Sequence, residues 1–177
     1  MTVNVEKATE QLFVARMMAG ELKRQNSSQK SVTYNDMVKS IQGIANIDKQ
    51  WLMQQVNQNI GLRRAYQLLL SKLTFSYSAK QAAASTTEEF SPRKNDYFSI
   101  HFKRDKTFQQ QIYVLLSIAH PLSRHINHEL ELHICDADNI QRLLFPPLSD
   151  GKTQQLLQVN NEALIGLLNA NSELYLN

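Results

Sequence analysis

The sequence has a single cysteine among its 177 residues, few prolines and glycines, and no long apolar run. One cysteine excludes an intrachain disulfide, which predicts a reducing compartment and favours the cytoplasm. The longest apolar run, Ile112–Ala119, is far shorter than the roughly 18–20 residues that cross a bilayer. The first residues lack the basic and apolar regions of a signal peptide. We therefore expect a cytoplasmic protein without a membrane partner.

The motifs of common catalytic sites are also missing. The sequence contains no glycine-rich phosphate loop, no dinucleotide-binding fingerprint and no nucleophile elbow. The acidic stretch that begins at Asp136 resembles the start of a calcium loop, but it lacks the later glycine and the distal glutamate. The sequence therefore predicts no enzyme, no catalytic residue and no cofactor.

Histidine and cysteine side chains are nevertheless concentrated in one short stretch, which contains His125, His128, His133 and Cys135. Zinc needs four convergent nitrogen or sulfur ligands, and these spacings match no standard zinc motif. Cys135 beside His133 has the residue types of a thiol nucleophile and its base, but nothing nearby supplies an oxyanion hole. We predict no metal ligand here and interpret the stretch as a polar loop followed by a strand. The sequence leaves open whether the four side chains converge.

The first half of the chain has the periodicity of amphipathic helices. Apolar residues recur every three or four positions over about 4–24, 34–42, 48–58 and 62–73. Thr33 with Asp36 fits a capping box, and Asp48 fits the cap of the third helix.

The second half alternates between apolar and polar residues, which is typical of strands that bury one face and leave the other solvated. Such strands are predicted near 97–103, 112–119, 129–135, 140–145 and 153–159, and a sixth over 173–176 would close the sheet. A turn is predicted at Asp150-Gly151 and a short helix near 162–168. The sequence predicts an α+β protein: an N-terminal unit of about four helices over 1–76, a linker over 77–95, and a β-rich domain over 96–177. The last part should be a mainly antiparallel sandwich or half-barrel of five to six strands.

Charge is distributed unevenly along the chain. Residues 1–124 contain 17 Lys and Arg against 9 Asp and Glu, whereas residues 125–177 contain 2 against 7. The summed field is therefore dipolar along the sequence. This pattern indicates an acidic partner for the first part, or an attraction between the two parts.

Residues 34–73 resemble the helical domain of bacterial anti-sigma factors. The resemblance rests on the run from Ile47 to Trp51 and on Asn59-Ile60-Gly61-Leu62-Arg63-Arg64-Ala65-Tyr66. It covers less than a quarter of the chain, and the zinc ligands of the classical members are missing. The resemblance implies that the helices wrap a sigma factor, as in the zinc-less cytosolic members.

We therefore expect a non-enzymatic bacterial regulatory or adaptor protein that acts by protein–protein contact. Because an amphipathic helix can dock its apolar stripe in a groove, the expected contact residues lie on the helices. They are Trp51, Leu62, Arg63, Arg64, Tyr66 and Leu69.

Nucleic acid is the alternative partner. The helices within 34–58 have the outline of a helix-turn-helix, and the second one offers Gln50, Gln54, Gln55 and Gln58 to bases. A second basic stretch, from Arg93 to Lys106, contains aromatic residues of the kind that stack single-stranded bases. Two of these, Phe98 and Phe102, fall on the predicted core face, which favours packing instead.

Overall fold

The computed structural model describes residues 31–44, 47–80, 90–120, 123 and 126–177. The chain divides into two compact units, 1–52 and 53–177. The described helices are α1 (Tyr34–Ile41), α2 (Lys49–Gln58), α3 (Ile60–Leu73) and α4 (Glu162–Leu168). The helix predicted over 4–24 lies outside the described residues. Within the described part of the chain, no helix is long and apolar enough to cross a membrane.

Helix α1 begins at the capping box that the sequence predicts. The Thr33 hydroxyl accepts the Asp36 backbone N–H, and the Asp36 carboxylate accepts the Thr33 backbone N–H at 3.0 Å. Both hydrogen bonds satisfy backbone N–H groups that have no partner within the helix at its N-terminus. Gly43 follows the helix with φ +69°, a conformation that favours glycine. Met37 and Ile41 are fully buried on the apolar face.

Helices α2 and α3 follow each other across a single residue. The Asp48 carboxylate accepts the Trp51 backbone N–H at 2.9 Å, which confirms the predicted cap of α2. Asn59 separates the two helices and caps α3, because its side-chain oxygen accepts the backbone N–H groups of Gly61 and Leu62.

Among the described residues, eight strands form two four-stranded antiparallel sheets. In chain order they are β1 (Ser76–Ser78), β2 (Arg93–Lys94), β3 (Phe98–Arg104), β4 (Gln111–Ile118), β5 (Leu130–Cys135), β6 (Ile140–Phe145), β7 (Lys152–Gln158) and β8 (Glu173–Leu176). The first sheet has the order β1-β8-β5-β6, and the second has the order β2-β3-β4-β7. At the predicted turn before β7, Asp150 and Gly151 have φ values of 50° and 74°.

The two sheets and α4 share one hydrophobic core. Alternate residues of β3 and β4, such as Ile100 and Val114, pack with Leu132 and Ile134 of β5. Leu164 and Leu167 of α4 belong to the same core. Burial of this apolar surface, at roughly 25 cal/mol per Å², is the main force that holds the sheets together.

The predicted architecture is wrong in its order and in its strand count. Helices and strands are interleaved: β1 follows α3 directly and pairs with the C-terminal strand β8, while α4 lies between β7 and β8. Eight strands in two sheets replace the expected five or six. The division into 1–76, 77–95 and 96–177 stays a prediction, although β2 and most of β1 fall within the expected linker. Local alternation indicates a strand, but pairing between segments far apart in the sequence is a non-local property.

Arg93 on β2 is a buried cation that ties the second sheet to the segment after α4. Its guanidinium donates hydrogen bonds to the backbone oxygens of Leu167, Asn169 and Ser172, the last at 2.6 Å. Carbonyls at the end of a helix are favourable partners for a cation. Burial lowers the pKa of Arg93, but an arginine keeps its charge at neutral pH.

Replacing Arg93 by alanine should destabilise the fold, because three carbonyl groups would lose their donor. We expect the free energy of unfolding in urea to fall by roughly 2–4 kcal/mol. The matched control is Arg64→Ala, which truncates an exposed arginine. This substitution should change the free energy of unfolding by less than about 0.5 kcal/mol. Equal effects of the two substitutions would contradict this role of Arg93.

Candidate binding surface

The residues predicted to bind a partner lie in different environments. Tyr66 and Leu69 are buried, with 0% and 5% of their surface exposed. Leu62 and Arg63 are partly exposed, and Arg64 is exposed. Trp51, in the first unit, is also partly exposed. The structure therefore leaves only part of the predicted helical surface accessible, and the binding role of these residues stays a prediction.

The glutamine-rich side of α2 faces outward, as a DNA-reading helix would require. Gln50, Gln54 and Gln58 are exposed, and Gln55 is partly exposed. This helix spans the division between the two compact units, and its basic residue is Lys49. DNA binding by the helices of 34–58 stays a prediction.

The histidine and cysteine side chains lie in contrasting environments. His133 is fully buried, while His128 is exposed. His125 lies outside the described residues. Among the residues that the structure describes, no three or more His, Cys, Asp or Glu side chains form a group able to hold a metal.

Cys135 is buried in the first sheet, with 1% of its surface exposed. Burial raises the pKa of the Cys135 thiol far above its ordinary value, and the nearby carboxylates of Glu173 and Asp136 raise it further. A thiol attacks and binds metals as the thiolate. Cys135 is therefore protonated at neutral pH and has the environment of a packing residue.

The outer face of the first sheet is covered by α3. Tyr66 of α3 makes an edge-to-face ring contact with His133 of β5, with 5.8 Å between the ring centroids. The Gln67 amide donates to the backbone oxygen of Asp136. Every residue of β5 is buried, including Glu131, which pairs with Arg142. This finding corrects the expectation that one face of this strand is solvated.

One carboxylate, Glu173 on β8, joins two tyrosines of this sheet. It accepts hydrogen bonds from the hydroxyls of Tyr77 and Tyr175, at 3.3 and 3.1 Å. The centroids of the two tyrosine rings lie 4.9 Å apart. Burial and the negative charge of Glu173 raise the pKa of Tyr175 far above its ordinary value. The arrangement holds both hydroxyls protonated.

Within the described part of the chain, by contrast, no element covers the outer face of the second sheet. Strand β4 alternates strictly between buried and partly exposed residues, so only one of its faces is fully buried. The register of β2, β3, β4 and β7 places the outward side chains in lateral rows: Lys94, Ser99, Ser117 and Lys152; then His101, Leu115 and Gln154; then Lys103, Tyr113 and Leu156; and finally Gln111 and Gln158. We call this set of residues the open face.

The open face is basic at its margins and apolar in its middle. Its charged residues are Lys94, Lys103 and Lys152, and none of its strand residues is Asp or Glu. Tyr113 and Leu156 lie side by side on neighbouring strands.

A pocket of about 370 Å³ lies at one end of the open face, next to the β3–β4 turn. Its lining includes Lys103, Lys106 and Tyr113. The carboxylate of Asp105, also in the lining, accepts the backbone N–H groups of Thr107 and Phe108 at 2.7 and 2.8 Å. These bonds lower the pKa of Asp105, so its charge helps to hold the turn.

Sequence reasoning found part of this surface. The basic stretch from Arg93 to Lys106 contains Lys94 and Lys103, which lie on the open face. Phe98 is buried and Phe102 packs against the core, as their positions in the alternation predict. Leu156 and Lys152 were missed as surface residues, because their strand had to be placed beside β4 before their neighbours could be known.

The Glu173 cluster predicts a loss of stability in alkali. Tyrosine in the unfolded chain ionises near pH 10, whereas folded Tyr175 stays protonated to higher pH. Unfolding therefore releases a proton above pH 10, and stability falls as the pH rises further. Between pH 8 and pH 11, the free energy of unfolding in urea should fall by about 1 kcal/mol less in Tyr175→Phe than in the wild-type protein. Tyr97→Phe, at an exposed tyrosine, should behave like wild type; equal losses in all three would contradict this account.

Comparisons with known proteins do not point to a family. No protein-family model matches the chain, and searches of curated proteins and of solved structures returned no match. The resemblance of residues 34–73 to anti-sigma factors stays a prediction. The open face, which is basic at its margins and apolar in its middle, is the feature that best supports a function.

Proposed function

We propose that the protein is a non-enzymatic adaptor or regulatory protein that binds an acidic protein partner on the open face of its second sheet. The observation that carries this proposal is the combination of three lysines, no carboxylate and a central apolar strip among the open-face residues. Oppositely charged surfaces steer association and exclude wrong partners.

The composition of the open face favours a protein over a single-stranded nucleic acid. Leu115 and Tyr113 lie on the inner strand β4, and Leu156 lies next to Tyr113 on the edge strand β7. Stacked bases need a platform of aromatic rings. An apolar centre with a polar rim is instead the usual anatomy of a protein–protein interface.

The environment of Cys135 supports a binding role rather than catalysis. Its thiol is buried and protonated, and the nearby hydroxyls of Tyr77 and Tyr175 are held protonated by burial and by the charge of Glu173. None of these groups has the shifted pKa that an active nucleophile or base needs at neutral pH.

A sigma factor is one partner that this proposal admits, through the resemblance of residues 34–73. The expected contact would then involve α3, where Arg64 is exposed and Arg63 is partly exposed. There are thus two candidate surfaces for the partner. One is the open face, which the geometry favours, and the other is the exposed side of α3.

Matched charge reversals separate the two surfaces. Lys103→Glu with Lys152→Glu changes the open face, and Arg63→Glu with Arg64→Glu makes the same change of charge on α3. Pull-downs from an untreated and a nuclease-treated lysate, quantified by mass spectrometry, compare both double variants with the wild-type chain. We expect the open-face variant to retain about tenfold less of an acidic protein, and the α3 variant to retain the wild-type amount.

Loss of the partner only in the α3 variant would assign binding to the helical surface and overturn the open-face proposal. Retention that disappears after nuclease treatment would assign the open face to nucleic acid instead. Circular dichroism on both variants checks that the reversals leave the fold intact.

A further inference from the structure

Strand β7 is an edge of the second sheet, and its hydrogen-bond pattern shows which backbone groups face outward. Val159 donates its N–H to the Gln110 oxygen, and Ile118 donates its N–H to the Gly151 oxygen, both at 2.9 Å. Bonded pairs alternate along an antiparallel ladder, so residues 153, 155 and 157 bond to β4. The N–H and C=O groups of Gln154, Leu156 and Gln158 point away from β4.

Several outward groups next to this segment have local partners. Lys152 exchanges two backbone bonds with Ser149, and the Gln158 oxygen accepts the N–H of Asn161. The N–H and C=O groups of Gln154 and Leu156 have no backbone partner among the described residues. These four groups form a short row ready to pair with another strand.

The other sheet edges are shorter or protected. β1 and β2 have three and two residues. On β6, Asn57 exchanges two hydrogen bonds with the backbone of Ile140, each at 2.9 Å. The edge of β7 has neither proline nor charge between Thr153 and Val159, although both devices commonly protect edges.

We propose that β7 pairs antiparallel with β7 of a second copy of the chain, about a two-fold axis at Gln155. This register places Gln154 opposite Leu156 of the second copy, twice by symmetry. Each such pair exchanges two hydrogen bonds, so the four outward groups of each copy are all satisfied. The second sheets then join into one sheet of eight strands, and the two open faces become continuous.

A second copy fits this edge because the strand is self-complementary. The register places Lys152 opposite Gln158, and no two like charges meet. A two-fold contact uses the same residues on both sides, as closed dimers do. A single strand pair buries less than the roughly 1,200 Å² of a stable interface, so the dimer should be weak and reversible.

The mass in solution tests this proposal. Sedimentation equilibrium of the full chain, from about 10 µM to 1 mM, covers the range of weak association. The weight-average mass should rise from 20.3 kDa toward twice that value. A mass that stays at the monomer value throughout would overturn the proposal. This readout is independent of partner binding, so its failure is distinct from failure of the proposed function.

Paired substitutions at two exposed positions test the register. Gln154→Lys with Leu156→Lys brings like charges together in the dimer, whereas Gln154→Lys with Leu156→Glu brings opposite charges together. Both positions are exposed in the single chain, so either variant can fold. We expect the first variant to be monomeric and the second to dimerise at least as well as wild type. Loss of the dimer in both variants, or in neither, would overturn the proposed pairing.

Discussion

The structure of the second unit depends on the burial of β5 on both of its faces. One face contributes Leu132 and Ile134 to the core between the sheets. The other face presents His133 and Cys135 to α3, where Tyr66 makes the ring contact with His133. Glu131 lies on the same face as His133 and Cys135, and its pairing with Arg142 offsets the cost of burying its charge.

A helix covers the outer face of the first sheet, whereas the outer face of the second sheet is the open face. The proposed function follows from this asymmetry. Cys135, which has the residue type of a nucleophile, is enclosed and protonated, whereas the residues of the open face include lysines, glutamines and two leucines. The unpaired edge of β7 adjoins the same face. Partner binding and self-association would therefore use neighbouring surfaces, and dimerisation would double the lysines available to one partner.

The local parts of this fold could be predicted from the sequence, but its long-range pairings could not. The cap at Thr33, the turn at Asp150-Gly151 and the helix near 162–168 depend on a few adjacent residues, and the structure confirms them. The pairing of β1 with β8 joins residues almost 100 positions apart. The expectation that one face of β5 is solvated was wrong for the same reason. Alternation predicts two faces, but it does not indicate which helix covers one of them.

The most direct measurement of this asymmetry compares two histidines of the same chain. His101 lies on the open face, and His133 lies beneath α3 with none of its surface exposed. Their rates of modification by diethyl pyrocarbonate can be followed in the native protein by mass spectrometry of peptides. The account predicts rapid modification of His101 and none of His133 until the protein is unfolded in urea. Similar rates at the two histidines in the native protein would show that the first sheet is not covered, and would contradict the account.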